Sequence, residues 1–180
     1  MILEKKAAVT PGLAGRLMIG AIAGIAATVA MTAAMQRMYR LLSAGEQYPL
    51  PPREITQRTV PFLQNEDAIK DASIVSHAAY GAAAGALVGA SAPDAGPLRG
   101  AIAGAAVWAA SYFGWIPAAA ILTPAHHHPA SRNALMIAAH LLWGAVSAQA
   151  VRELTAARAG PLAAGPLADV SKGRADEQSR

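Results

Sequence analysis

Five histidines are the side chains of this 180-residue chain best suited to chemistry near neutral pH. Three are consecutive, His126, His127 and His128, and two stand alone in apolar surroundings, His77 and His140. An uncharged imidazole offers a nitrogen lone pair to a metal, a haem iron or a proton. His77 and His140 are therefore candidate cofactor ligands, and His126 to His128 a candidate site for a divalent ion. Each also has a plain structural reading: an isolated intramembrane histidine bonds to a carbonyl or hydroxyl of a neighbouring helix, and a histidine loop is solvated. Met31, Met35 and Met38 offer soft sulfur to copper, or simply fill core. Trp108, Tyr80 and Trp143 read as packing, with a stacking wall around a ligand as the alternative.

Other chemistries find no support. The chain has no cysteine, which removes disulfide scaffolds, zinc ribbons and thiol nucleophiles. Nothing resembles a catalytic triad, a phosphate loop or a carboxylate pair suited to hydrolysis, so an enzyme is not the expectation. Gly100 to Gly104 lacks the preceding strand that a dinucleotide fingerprint needs. The net charge of +4 is spread over loops and tail without interleaved aromatics, which argues for juxtamembrane contacts rather than nucleic acid.

The elements that must position these residues are set by where charge is missing. No Asp, Glu, Lys or Arg falls within 17 to 36, 72 to 93, 100 to 131 or 133 to 151, so 93 of the 180 positions form four charge-free windows. A helix of roughly 20 apolar residues crosses a hydrocarbon core about 30 Å thick. The expected fold is all-α, a four-helix transmembrane bundle with helices near 17–42, 66–92, 98–122 and 133–151. A basic segment, 1–16, precedes the membrane domain at 17–152, and a tail repeating Ala-Gly-Pro-Leu, 153–180, is expected to be disordered. The short turn at 92–97 predicts that the second and third spans are antiparallel neighbours. Asn65 is placed to cap the second span, and Ser131 or Asn133 the fourth. Pro117 removes a helical hydrogen bond and predicts a kink beside Gly114. Between the prolines of the 43–70 loop, Arg53 to Val60 can form a short helix, its Ile55 facing lipid headgroups or protein.

An even number of spans puts both termini on one side. Lys and Arg over whole segments number 9 on that side and 6 opposite, which favours cytoplasmic termini, although near the span ends alone the count is close to even. The histidine loop and the 43–70 loop share the other face. At about 1.5 Å per residue, His77 and His140 both lie roughly 9 to 10 Å below that face.

Small residues recur at intervals of four. Gly20 and Gly24, Gly81, Gly85 and Gly89, Gly100 and Gly104, and Gly144 predict close helix packing and a route to homo-oligomers or a membrane partner. The second span carries few large aliphatics and is expected to be the most enclosed. Gly20-Ala-Ile-Ala-Gly24 recurs as Gly100-Ala-Ile-Ala-Gly104, and His77-Ala-Ala-Tyr80-Gly81 as His140-Leu-Leu-Trp143-Gly144. These repeats suggest two similar helical hairpins.

Leu50-Pro51-Pro52-Arg53 directly after the first span, with the late helix bearing His140-Leu-Leu-Trp143, resembles the YagU-like family of small bacterial inner-membrane proteins. The resemblance implies a multi-pass bacterial inner-membrane protein of undefined activity, and it carries over no catalytic residue. The Gly/Ala-rich helices and the triple histidine depart from that family's pattern. The residues leave two functional readings open: a structural, accessory or oligomeric component of the lipid bilayer, and a metal- or haem-binding redox or transport protein. A membrane enzyme acting on lipid or quinone at the histidine face is a third, without an identifiable nucleophile or base.

Overall fold

A computed structural model describes residues 11–157. Pro11 and an extended Gly12 at the N-cap lead into α1 (Leu13–Tyr39). A single 3-10 turn (Ala44–Glu46) leads to α2 (Pro51–Thr59), whose two prolines occupy the first turn, where no amide is needed. Asn65 caps α3 (Glu66–Ser91) as expected, its side-chain oxygen accepting from the amides of Asp67 at 2.9 Å and Ala68 at 3.0 Å. After a tight turn come α4 (Pro97–Ala110), a wide π-type turn (Ser111–Trp115) and the single turn α5 (Ile116–Ala118). The kink falls where Pro117 and Gly114 place it, and Gly114 itself leaves helical geometry at φ −109°, ψ −110°. A further 3-10 turn, Ala125–His127, precedes α6 (Ala130–Ala157).

Four helical segments, Leu13–Tyr39, Glu66–Ser91, Pro97–Ala118 and Ala130–Ala157, are long and apolar enough to cross a membrane. The fold is an all-α four-helix bundle. Helix α6 continues to Ala157, five residues into the expected tail, because Glu153 to Ala157 is a good helix-forming stretch and Gln149 bonds to Glu153 one turn on. The rest of that tail, and most of the N-terminal basic segment, lie outside the described residues.

The helices pack in the order α3, α1, α6, α4. Glycine explains both outer contacts. A Cβ on Gly24 would stand 2.1 Å from the Gly81 carbonyl oxygen and one on Gly85 2.6 Å from the Gly24 Cα, so α1 and α3 touch backbone to backbone. A Cβ on Gly100 would stand 2.3 Å from the Gly144 oxygen and one on Gly104 2.0 Å from the His140 oxygen, so α4 and α6 do the same. Gly20 and Gly89 extend the first contact, with a Cβ on Gly89 only 2.7 Å from the Gly20 Cα. Without a hydrophobic effect between helices in lipid, such close approach supplies van der Waals contact.

Two expectations are corrected here. First, α3 and α4 do not pack closely, despite the short turn between them. Each is drawn to its own glycine partner and they diverge, leaving a gap. Second, α3 is not the most enclosed span: 28% of its membrane window is buried against 50% in α6. Alanine is apolar enough to face lipid, so small residues bury only the one face that meets α1, whereas α6 is covered by α1 and α4 together. The glycines expected to pack helices closely do so within the chain.

The hairpin repeat is also out of register. Gly20 meets the Gly85 oxygen where Gly100 meets that of Gly144, and Gly24 meets that of Gly81 where Gly104 meets that of His140. Gly81 therefore stands in the place of His140, and His77 lies one helical turn away from the position its sequence match suggests.

Candidate functional site

The gap between the hairpins, at the histidine end, is a cavity of about 210 Å³. Both lone histidines line it, His77 from α3 and His140 from α6, together with Met31 from α1 and Met136 from α6. A smaller hollow of about 20 Å³, large enough for a water, continues inward between the same two imidazoles, Met31, Tyr80 and Trp143. The sequence pairing of His77 with His140 thus corresponds to a shared site, although the two are staggered along their helices.

Hydrogen bonds assign the tautomers. His140 Nδ1 lies 2.8 Å from the Met136 carbonyl oxygen, which can only accept, so Nδ1 carries the proton in the uncharged ring. The Thr32 hydroxyl donates to the Thr28 carbonyl at 2.8 Å, leaving Thr32 Oγ1 as the acceptor for His77 Nδ1 at 3.5 Å. Both rings are then left with Nε2 as a lone-pair acceptor. Neither Nε2 has a protein partner among the described residues.

Aromatic side chains form the rest of the wall. Tyr112 is buried, and Tyr80 and Trp115 stand at the rim with 38% and 43% exposure and ring centroids 5.8 Å apart. The π-type turn at Ser111–Trp115 carries three residues of the wall, Ser111, Tyr112 and Trp115. Ser111 donates to the Val107 carbonyl at 2.7 Å, so the Tyr80 hydroxyl donates to Ser111 at 2.7 Å. Of the two surroundings expected for Ile55, lipid headgroups or protein, the structure has the second: Ile55 lines the cavity with Pro51 and Pro52, making α2 its cover.

Arg132 holds that cover in place. Only 4% exposed, it donates to the carbonyls of Glu46 at 3.0 Å, Tyr48 at 2.8 Å and Pro49 at 2.9 Å, and its guanidinium carbon lies 3.4 Å from the Tyr48 ring centroid. By charge alone it counts as one more loop cation. The sequence did carry a signal: Arg132 is the sole charge between 100 and 151.

Neighbouring side chains complete the clamp. Ser131 bonds to the Glu46 carboxylate and Asn133 donates to the Ala125 carbonyl at 2.7 Å, so neither caps α6; both tie loops together instead. Hydroxyls of Ser131 and Ser43 donating to Glu46 hold its carboxyl below the usual carboxylate range.

The triple histidine does not form a ligand set. His128 turns inward, with Nδ1 3.1 Å from the Tyr48 hydroxyl and Nε2 3.3 Å from Thr123 Oγ1. His126 stacks on Phe113 with planes 9° apart, and His127 lies outward beside it. Among the described residues no three of His, Asp or Glu gather to hold a metal ion.

Of the remaining expected residues, Met31 and Met35 are buried core and Met38 packs at its edge, while Met136 at the cavity had no distinguishing sequence signal. Trp143 is packing, as read, but also donates its indole N–H to Thr28 Oγ1 at 3.1 Å, tying α6 to α1. No family model, curated protein or solved structure matches the chain. The functional reading therefore rests on the geometry above.

Proposed function

We propose that this protein is a non-catalytic membrane component that binds a small planar lipophile bearing hydroxyl groups, of the hydroquinone type, in the cavity between His77 and His140. One observation carries the reading: two imidazoles from different hairpins, each with Nδ1 engaged, share one aromatic-walled cavity. Two acceptor nitrogens suit a ligand that donates, and aromatic walls suit a flat ring. Binding rather than catalysis fits the neighbouring hydroxyls: Ser111, Thr56 and Thr32 all donate to helix carbonyls, so none of them donates its proton to an imidazole as a nucleophile would to its base. At about 210 Å³ the cavity falls below the roughly 300 to 1,000 Å³ of drug-sized sites, which favours a single small ring over a porphyrin. The bilayer setting, the bacterial inner membrane and cytoplasmic termini belong to the same proposal, supported by the four spans, the likeness to YagU-like proteins and the whole-segment cation count.

Protein purified in mild detergent should show quenching of Trp115 fluorescence by a short-chain benzoquinol, more tightly than by the matching benzoquinone, which has no donor. Losing one hydrogen bond of about 0.5 to 1.5 kcal/mol predicts that His140→Ala weakens quinol binding roughly 2- to 13-fold. Equal affinity for quinol and quinone, or no change in His140→Ala, would overturn the reading.

A second reading has its own observation. Met31 and Met136 bring two thioethers to the cavity of the two imidazoles, a soft donor set suited to monovalent copper. Stoichiometric copper in the purified protein, lost in His77→Ala, would replace the first reading with the second.

A further inference from the structure

We propose that the outer face of α1, α2 and α3 at the histidine end binds one anionic phospholipid, its phosphate held by Arg53, Lys70 and Arg40 and an acyl chain lying between α1 and α3. The site stands apart from the cavity reading, although His77 lines both.

Three observations converge on it. A groove of about 510 Å³ runs between α1 and α3, walled by Ile25, Val29 and Ile74, which are 44%, 68% and 59% exposed. Exposed aliphatics in a groove of a membrane span face lipid chains. At its histidine end the groove reaches Arg53 and Lys70, and there it meets a second open hollow that shares Arg53 and adds Arg40. Apolar walls leading to clustered cations match a molecule with a hydrocarbon tail and an anionic head.

The dimensions agree. From Ile25 to Arg40 is fifteen residues, about 22 Å of helix rise, enough to span the ~15 Å hydrocarbon depth of one leaflet and reach the headgroups. The cations thus sit where a phosphate sits when its chain fills the groove.

Arg53 is only partly satisfied by the protein. Its Nη2 donates to Glu66 Oε2 at 2.6 Å, linking α2 to the start of α3. One corner of the guanidinium is thereby fixed, and Nη1, without a partner among the described residues on a side chain 36% exposed, is the corner a phosphate oxygen would meet. Lys70 and Arg40, both exposed, add charge without an ion-pair partner among the described residues.

The test is lipid retention by native mass spectrometry after exchange from vesicles of equal phosphatidylglycerol and phosphatidylcholine with the same acyl chains. One phosphatidylglycerol should remain on the wild-type protein. Its occupancy should fall at least tenfold in Arg53→Gln/Lys70→Gln and stay unchanged in Arg99→Gln, a cation outside the site. Ile74→Trp fills the groove from an exposed position, leaves the cations intact and should also release the lipid, so the proposal remains testable if the double variant does not fold. Equal retention of the two lipids would overturn it. So would full retention in Ile74→Trp, or stabilisation by inorganic phosphate equal to that by phosphatidylglycerol, since either result leaves the groove without a role.

Discussion

Gly104→Ala tests whether glycine packing and the histidine cavity are one construction. A Cβ at Gly104 would lie 2.0 Å from the His140 carbonyl oxygen, where ordinary contact begins near 3.4 Å, so α4 and α6 must part by about 1.4 Å. The neighbour is backbone and cannot rotate aside, which places the overpacking cost near the upper end of its range, about 3 kcal/mol. Replacing glycine within a helix returns about 1 kcal/mol. The net loss is about 2 kcal/mol, or roughly 4 to 8 °C in a chain of this length. Gly24→Ala makes the same intrusion between α1 and α3, at 2.1 Å, and should cost as much. The two variants differ in what they move. Gly104→Ala displaces the residue that carries His140, and should shift the imidazole nitrogen resonances and weaken quinol binding more than Gly24→Ala does. Gly45→Ala, with open space around its Cβ position, should stay within ~0.5 kcal/mol of wild type. Thermal unfolding in one detergent, with nitrogen NMR of labelled histidine, reads both effects. If Gly104→Ala melts with Gly45→Ala and leaves His140 unshifted, the backbone contact does not exist.

Two further outcomes follow from the clamp over the cavity. Arg132→Lys keeps the charge but loses the planar fork that reaches three carbonyls, and should cost about 1.5 to 3 kcal/mol and speed proteolysis within 43–50; unchanged cleavage would show that the fork is not what holds the loop. Glu46 has a depressed carboxyl, so its contribution is present above the ordinary carboxylate range and disappears as pH falls through its lower folded value; amide exchange across 43–50 should accelerate under acid in wild type, and Glu46→Gln should abolish that pH dependence.

What the sequence made legible follows from periodicity and exclusion. Ninety-three uncharged positions in four windows leave few folds open, and the helices appear where those windows lie. Asn65 and the Gly114 to Pro117 kink were legible because capping and proline act within one turn of the chain. The errors share another origin. Ser131 and Asn133 have capping chemistry, but their preferred partners arrive from 46 and 125, beyond any local pattern. The order of the helices turned on which glycine face met which, and a short turn does not decide that when both flanking helices have stronger partners elsewhere. The partners of Arg132 were not legible because cations near span ends ordinarily face headgroups.

The one-turn slip between the hairpins bears directly on function. Were the repeat in register, both histidines would stand in equivalent positions against glycine, each pressed into its own helix contact. The slip puts His140 at the α4–α6 contact, where Gly104 meets its carbonyl, and puts Gly81 at the matching place in α3. His77 is thereby moved one turn toward the loops, half-buried and beside Thr32, while His140 is held by Met136. One imidazole is fixed by packing and the other by a long, weak hydrogen bond at 3.5 Å. A ligand entering the cavity therefore meets a rigid acceptor and an adjustable one. His77→Ala should then cost less affinity than His140→Ala, and the reverse order would place the anchoring imidazole on α3.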